Sequence, residues 1–173
     1  MTEFQYIPAA QTNKAKRIAT GVFASSLVVF ALSSWKGIPF RFAFQLVSCA
    51  MMTVAILVCV RYLFKSYGYR IEPSEQGYDF VVLEITRHGS CAVCRLGMEA
   101  LLSVEPWTPE LAKQKKAQKS LKIYNYCVDI APSNAYLVSF SDSIYATDEN
   151  PICLKLQCDD AFKSALLSFL QNS

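Results

Sequence analysis

The residues whose types and spacing best suit chemistry are one histidine and two cysteines, in the pattern His88-x-x-Cys91-x-x-Cys94. Imidazole and thiolate groups are good zinc ligands, and Cys-x-x-Cys is a common half-site. The surrounding sequence predicts a strand, however, and residues three apart on a regular strand point to opposite faces. We therefore predict ordinary buried thiols, with a metal site at His88, Cys91 and Cys94 as the weaker alternative.

The remaining cysteines give no stronger signal for thiol chemistry. A redox-active Cys-x-x-Cys prefers a helix N-terminus, which lowers the thiol pKa, but Arg95-Leu96-Gly97 after Cys94 indicates no helix. The spacing of Cys153 and Cys158 is not that of a zinc knuckle. The seven cysteines lack the spacing of a disulfide framework, which is typical of a reducing compartment.

Five lysines form the best candidate for a contact surface: Lys113, Lys115, Lys116, Lys119 and Lys122. Near an anionic inner leaflet each basic residue contributes about 1 kcal/mol of attraction. The alternative is a charged loop that only keeps the domain soluble. We predict no enzymatic activity and no cofactor, because the sequence holds no glycine-rich phosphate loop, Gly-x-Ser-x-Gly elbow or metalloprotease helix.

These residues belong to a region in which short apolar stretches alternate with turn signals, a pattern typical of an antiparallel sheet. Thr108 and Pro109 predict the start of a short helix, with Thr108 as its N-cap. Asp159 or Asp160 then caps a last helix with Phe162, Leu166, Phe169 and Leu170 on one face. The predicted strands cover residues 67–72, 80–87, 91–96, 100–105, 121–129, 135–140 and 152–158.

The amino-terminal third of the chain has a different character. Residues 18–35 and 42–60 contain no charged residue, and the turn that joins them holds Lys36 and Arg41. As helices the two runs would span roughly 27 and 28 Å. That length is close to the ~30 Å hydrocarbon core of a bilayer. The sequence therefore predicts a cytoplasmic segment at 1–17, a transmembrane helical hairpin at 18–64 and a β-rich domain at 65–173.

Two other interpretations of the apolar runs are weaker. A soluble helical pair would need further helices to cover it, and a signal peptide ending near Ala31-Leu32-Ser33 would not be followed so closely by a second span. Within the hairpin, Gly21 and Ser25 would allow close helix approach, with Met51, Met52, Thr53 and Ala55 opposite. Neither span contains an ionisable residue, so the hairpin is predicted to anchor rather than transport.

Charge predicts the orientation of this hairpin. Residues 1–65 carry seven basic residues and one acidic residue, whereas residues 66–173 carry ten basic and thirteen acidic residues. Six basic residues flank the outer ends of the spans and only Lys36 and Arg41 lie in the turn, which favours both termini in the cytoplasm. The acidic balance of the domain argues against nucleic-acid binding.

A sheet followed by one amphipathic helix, tethered to a membrane hairpin, resembles the bacterial pleckstrin-homology-like domains. The resemblance covers residues 67–171 and rests on element order, on Leu102-Ser103-Val104 after a turn, and on Asp160-Ala161-Phe162 with the apolar residues that follow. It implies a partly open barrel of about seven strands, closed by the last helix, that binds protein or lipid surfaces. The alternatives are an accessory subunit of a membrane complex bound through the hairpin, and a cysteine-based zinc or redox protein.

Overall fold

The computed structural model describes residues 4–9, 12–35, 40–75, 77–117, 123–141 and 151–172. The chain divides into two compact units, a helical one at Ala10–Ser66 and a β-rich one formed by Met1–Ala9 together with Tyr67–Ser173. The helices are α1 (Thr12–Ser33), α2 (Arg41–Tyr62), α3 (Pro109–Ala117) and α4 (Asp160–Asn172), with a 3-10 turn at Met98–Ala100. The strands are β1 (Phe4–Tyr6), β2 (Ser66–Ser74), β3 (Gly77–Thr86), β4 (Gly89–Gly97), β5 (Leu101–Pro106), β6 (Ile123–Asn125), β7 (Ala135–Phe140) and β8 (Ile152–Gln157).

The helical unit contains two helices that are long and apolar enough to cross a membrane. Each has 22 residues, which corresponds to roughly 33 Å of helix. Most of the large apolar side chains that are exposed in the described part of the chain lie on these helices and the turn between them. So large an exposed apolar surface is unusual for a soluble protein and is typical of helices that associate with a membrane.

Small residues form the contact between α1 and α2. Ala15, Ala19, Ser26 and Ser33 are buried on α1, as are Ser48 and Ala55 on α2. The Ser48 hydroxyl donates a 2.8 Å hydrogen bond to the Ser26 carbonyl oxygen, so the backbones approach closely. The predicted close-approach pair was wrong: a Cβ at Gly21 would meet nothing within 4 Å, and Ser25 is exposed. Of the residues predicted opposite, Ala55 alone is buried.

The β-rich unit contains two four-stranded sheets, ordered β1-β2-β3-β4 and β5-β7-β8-β6. The pairs β3–β4, β5–β7 and β7–β8 are antiparallel as predicted. The pair β6–β8 is parallel, with Ile123 opposite Cys153 and Asn125 opposite Lys155. The expected all-antiparallel sheet was therefore wrong at β6, because β6 pairs with β8 rather than with β7, its neighbour in sequence.

The amino-terminal residues add a strand that belongs to the β-rich unit. β1 pairs antiparallel with β2, with Phe4 opposite Ile71 and Tyr6 opposite Tyr69. The rings of Phe4 and Tyr6 each lie 5.6 Å from the ring of Phe162 on α4. This segment is thus docked on the domain by backbone pairing and aromatic contacts.

The main core lies where residues of both sheets meet the apolar face of α4. Tyr69, Phe80 and Phe140 from the sheets and Phe162 and Leu166 from α4 are fully buried there. The predicted helix face is confirmed, since Phe169 and Leu170 also contact this core. The Asp159 carboxylate accepts a 2.8 Å hydrogen bond from the Phe162 N–H, which confirms the predicted cap.

The chain between β5 and β7 agrees with the prediction at α3 and departs from it at β6. The N-cap of α3 is confirmed, because the Thr108 hydroxyl accepts a 3.2 Å hydrogen bond from the Leu111 N–H. The strand predicted at 121–129 is limited to β6 in the described residues. It ends because the Asn125 side chain accepts a 3.1 Å hydrogen bond from the Cys127 N–H, a turn geometry typical of asparagine.

The α+β class of the chain is confirmed, with two apolar amino-terminal helices followed by sheets and a last helix. The strands form two separate sheets, and neither closes into a barrel among the described residues. The pleckstrin-homology-like arrangement therefore stays a prediction.

Candidate functional site

Among the described residues, β4 is the longest edge strand of the β-rich unit. β4 is the last strand of its sheet, has nine residues, and is exposed along most of its length. The other three edge strands are less suitable: β1 and β6 have three residues each, and β5 has six and ends in Pro106. A long exposed edge presents unpaired backbone donors and acceptors that another strand can use.

The side chains of this edge leave room for an approaching backbone. From Gly89 to Cys94 the sequence is Gly-Ser-Cys-Ala-Val-Cys, without a charge, and all but Cys94 are exposed. Val93 is the largest of them and is 41% exposed. Edge strands commonly carry lysine or proline as protection against unwanted pairing, and this stretch has neither.

A β-bulge at Val93 changes the predicted geometry of the two cysteines. Cys94 lies opposite Val82 and Ala92 lies opposite Leu83, so Val93 is an extra residue in the β4 ladder. Cys91 lies opposite Glu84, which shares a face of β3 with Val82. Cys91 and Cys94 therefore share one face of the sheet, whereas a regular strand would have placed them on opposite faces.

The three residues of the weaker metal alternative nevertheless occupy different environments. His88 is exposed in the turn before β4, and Cys94 is half-buried against the core. The prediction of buried thiols was wrong for Cys91, which is exposed because it lies on the edge strand beyond the core. Burial raises the pKa of the Cys94 thiol, which disfavours the thiolate that metals and oxidants require. Among the described residues no three His, Cys, Asp or Glu side chains are grouped to hold a metal ion.

The other cysteines of the β-rich unit are buried thiols. Cys127, Cys153 and Cys158 are all buried. The Cys153 sulfur lies 3.4 Å from the Ser139 hydroxyl, and burial raises the pKa of Cys158 to about 12, with the Asp159 carboxylate adding to the effect. These thiols act as small apolar residues of the core.

The predicted lysine surface is described only in part. Lys113, Lys115 and Lys116 belong to α3, and the Lys113 side chain is exposed. The side chains of Lys115 and Lys116, and the whole of Lys119 and Lys122, lie outside the described residues. The lysine surface stays a prediction.

Beyond the neutral stretch, β4 carries an ion-pair cluster that neutralises the acidic turn of the first sheet. Arg95 on β4 contacts Glu72 and also lies 3.4 Å from Asp79, while Arg70 lies 3.5 Å from Glu72. Glu72 and Asp79 are largely buried by these contacts. Arg95, Glu72 and Asp79 are thus paired with one another, whereas the stretch from Gly89 to Cys94 carries no charge.

Comparison with known proteins returns no match. No protein-family model, curated protein or solved structure is significantly similar to this chain. The functional interpretation therefore depends on the geometry of the edge strand and of the helical unit.

The sequence predicted the strand β4 but not the two features that make it a candidate site, its bulge and its position at the edge of the sheet. The alternation of small residues predicted a strand at 91–96, yet nothing in it identified Val93 as a bulge or β4 as the end of the sheet. The available signal was the low strand propensity of Gly89, Ser90 and Ala92, which is tolerated at an exposed edge.

Proposed function

We propose that this protein is anchored in the cell membrane by α1 and α2 and uses its β-rich unit in the cytoplasm as a non-enzymatic interaction module. The exposed apolar surfaces of the two helices support membrane insertion. The concentration of basic residues at the outer ends of the helices supports a cytoplasmic location for both termini.

The observation that carries the interaction proposal is the open, uncharged edge of β4. We assign it to an extended segment of another protein, which would add a strand to the first sheet through backbone hydrogen bonds. The small side chains from Gly89 to Ala92 permit close approach, and Val93 offers an apolar contact at the bulge. A partner segment of small, uncharged side chains fits best, because the stretch from Gly89 to Cys94 itself carries no charge.

A pleckstrin-homology-like relationship is part of the same proposal. Seven strands from β2 to β8 followed by α4 have the element order that this resemblance implies. The parallel pairing of β6 with β8 is a departure from an antiparallel barrel. Such domains bind surfaces more often than they catalyse, which agrees with an edge-strand contact.

The edge proposal is tested by placing one charge on β4 and the same charge on a matched edge. Val93→Lys adds a lysine at a position that is 41% exposed, and Leu102→Lys on β5 adds one at a position that is 42% exposed. We expect Val93→Lys to abolish co-purification of the native partner in mild detergent, while Leu102→Lys retains it. Hydrogen exchange then locates the contact, because strand addition slows exchange of β4 amides in the complex.

Two results would refute the edge assignment. One is equal partner retention by the two lysine variants, and the other is protection in the complex that omits residues 89–97. Membrane insertion is tested separately: the full chain should resist carbonate extraction, and protease added outside intact cells should not digest residues 67–173. Release by carbonate would refute the anchor without bearing on the edge.

A further inference from the structure

The helical unit contains a groove between α1 and α2, at the end where α1 begins and α2 ends. Its cavity volume is about 420 Å³. The residues on α1 that line it recur every three or four positions, and so do those on α2, so each helix contributes one continuous face. The lining residues include Lys16, Thr20 and Phe23 on α1, Ile56 and Val60 on α2, and Leu63 directly after α2.

The groove exists because alanines form the helix contact beneath it. Ala19 and Ala55 are buried in the contact and also line the groove, whereas the larger side chains stand on either side. From Lys16 to Phe23 the groove extends roughly 10 Å along α1. An apolar channel of this length accommodates part of a hydrocarbon chain, but it is too short to seat a whole membrane-spanning helix of ~30 Å.

The mouth of the groove is strongly basic. Lys16 lines the groove, and an adjoining depression is lined by Lys16, Arg17, Thr20 and Gly21. A Cβ at Gly21 would meet nothing within 4 Å, so this depression is open beside the two charges. The whole segment from residue 10 to residue 66 contains seven basic residues and no acidic one, so no carboxylate within the unit competes for Lys16 and Arg17.

We propose that this groove binds an anionic glycerophospholipid, with one acyl chain between α1 and α2 and the phosphate against Lys16 and Arg17. Basic pockets between membrane helices on the cytoplasmic side are suited to anionic head groups. A zwitterionic lipid would place a second, positive charge near the same basic residues and lose the electrostatic gain. The inference rests on the membrane anchor proposed above, but it is independent of the β4 contact.

The charge at the mouth is tested by binding of phosphatidylglycerol to the full-length protein in mild detergent, measured by native mass spectrometry against phosphatidylcholine. We expect phosphatidylglycerol to bind more tightly, and Lys16→Gln and Arg17→Gln each to weaken it about fivefold. Lys14→Gln is the matched control. It removes the same charge from an exposed residue of α1 that lines neither depression. Lys14 lies roughly 160° around the helix from Lys16 but only about 60° from Arg17. It is therefore matched to Lys16, and Lys14→Gln should weaken binding less than Lys16→Gln does.

The apolar part of the groove is tested by filling it. Thr20 is exposed and lines both depressions, so Thr20→Phe should occupy the path of the acyl chain without entering the buried helix contact. We expect at least a fivefold loss of phosphatidylglycerol binding. Thr53→Phe makes the same change at an exposed residue of α2 that does not line the groove, and should leave binding unchanged.

The possible outcomes separate this inference from the proposed function. Equal effects of Lys14→Gln and Lys16→Gln, equal affinity for the two lipids, or no effect of Thr20→Phe would overturn the lipid site while the protein still resists carbonate extraction. A dimer that Thr20→Phe dissociates would assign the groove to a second copy of the chain and also overturn it. Carbonate release would overturn the site together with the anchor, whereas loss of the β4 contact would leave it intact.

Discussion

Removing one hydroxyl group from Tyr69 should reveal how strongly the two sheets depend on a single buried contact. Tyr69 lies on β2 in the first sheet and has no exposed surface. Its hydroxyl donates a 2.9 Å hydrogen bond to the Tyr126 carbonyl oxygen and accepts a 3.1 Å hydrogen bond from the Gln157 N–H at the end of β8. Tyr69→Phe keeps the ring in the core and deletes both hydrogen bonds.

The size of the effect follows from the position of these groups. A buried hydrogen bond contributes about 1 kcal/mol, and a buried donor left without its acceptor costs about 1–3 kcal/mol. The Gln157 N–H is buried and loses the acceptor that Tyr69 provides. We therefore expect Tyr69→Phe to lower the free energy of unfolding by roughly 2–3 kcal/mol, with a fall in Tm of about 10 °C for a unit of this size.

The assay is urea unfolding of the full-length protein in mild detergent, followed by near-ultraviolet circular dichroism of the aromatic core. The midpoint should fall while the slope of the transition stays unchanged, because the variant exposes the same surface on unfolding. Tyr124→Phe is the control, since Tyr124 is 45% exposed, and it should change stability by less than about 0.5 kcal/mol. Equal stability of Tyr69→Phe and the wild type would show that the hydroxyl does not connect the sheets.

Three further changes test other contacts. Burial raises the pKa of the Cys158 thiol from 9.0 to about 12. Between these pH values the thiol is deprotonated only in the unfolded chain, so the free energy of unfolding should fall by about 1.4 kcal/mol for each unit of rising pH. Urea midpoints above pH 9 should therefore fall less steeply for Cys158→Ala, and parallel profiles would contradict this. Ser48→Ala loses the hydrogen bond to Ser26 and should lower the stability of the hairpin by about 0.6 kcal/mol in detergent-induced unfolding. Ser48→Leu should lower it by about 2 kcal/mol, because the larger side chain overpacks the contact. A smaller loss of stability for Ser48→Leu than for Ser48→Ala would refute the close contact. Asp159→Ala should cost about 1 kcal/mol in urea through loss of the cap on Phe162, and Asp159→Asn much less.

Local patterns in the sequence were sufficient to predict most elements of this chain. The uncharged runs before residue 61 predicted α1 and α2, although α1 begins at Thr12 rather than near residue 18. Turn residues placed the ends of β3, β4 and β7 within a few residues. Capping side chains at Thr108 and Asp159 placed the starts of α3 and α4, because each cap is a contact between near neighbours in sequence.

What the sequence could not predict depends on contacts between residues far apart in the chain. The pairing of β6 with β8, of β1 with β2, and the order of strands within each sheet are choices of partner that alternation does not encode. The same holds inside the hairpin. Ala19 and Ala55 carry no signal as single residues, and their part in the helix contact and in the groove beside it shows only when both helices are in place.

The strand that we assign to partner binding is the one that the domain's own packing explains least. Only Cys94 and Leu96 of β4 contact the main core, so the stretch from Gly89 to Val93 buries little apolar surface and consists mainly of residues with low strand propensity. An edge of nine residues exposes the domain to unwanted pairing. The bulge at Val93 limits unwanted pairing. A regular strand cannot pair in a single register with the residues of β4 on both sides of the bulge. An edge that stays open yet resists indiscriminate pairing is what a specific strand partner requires.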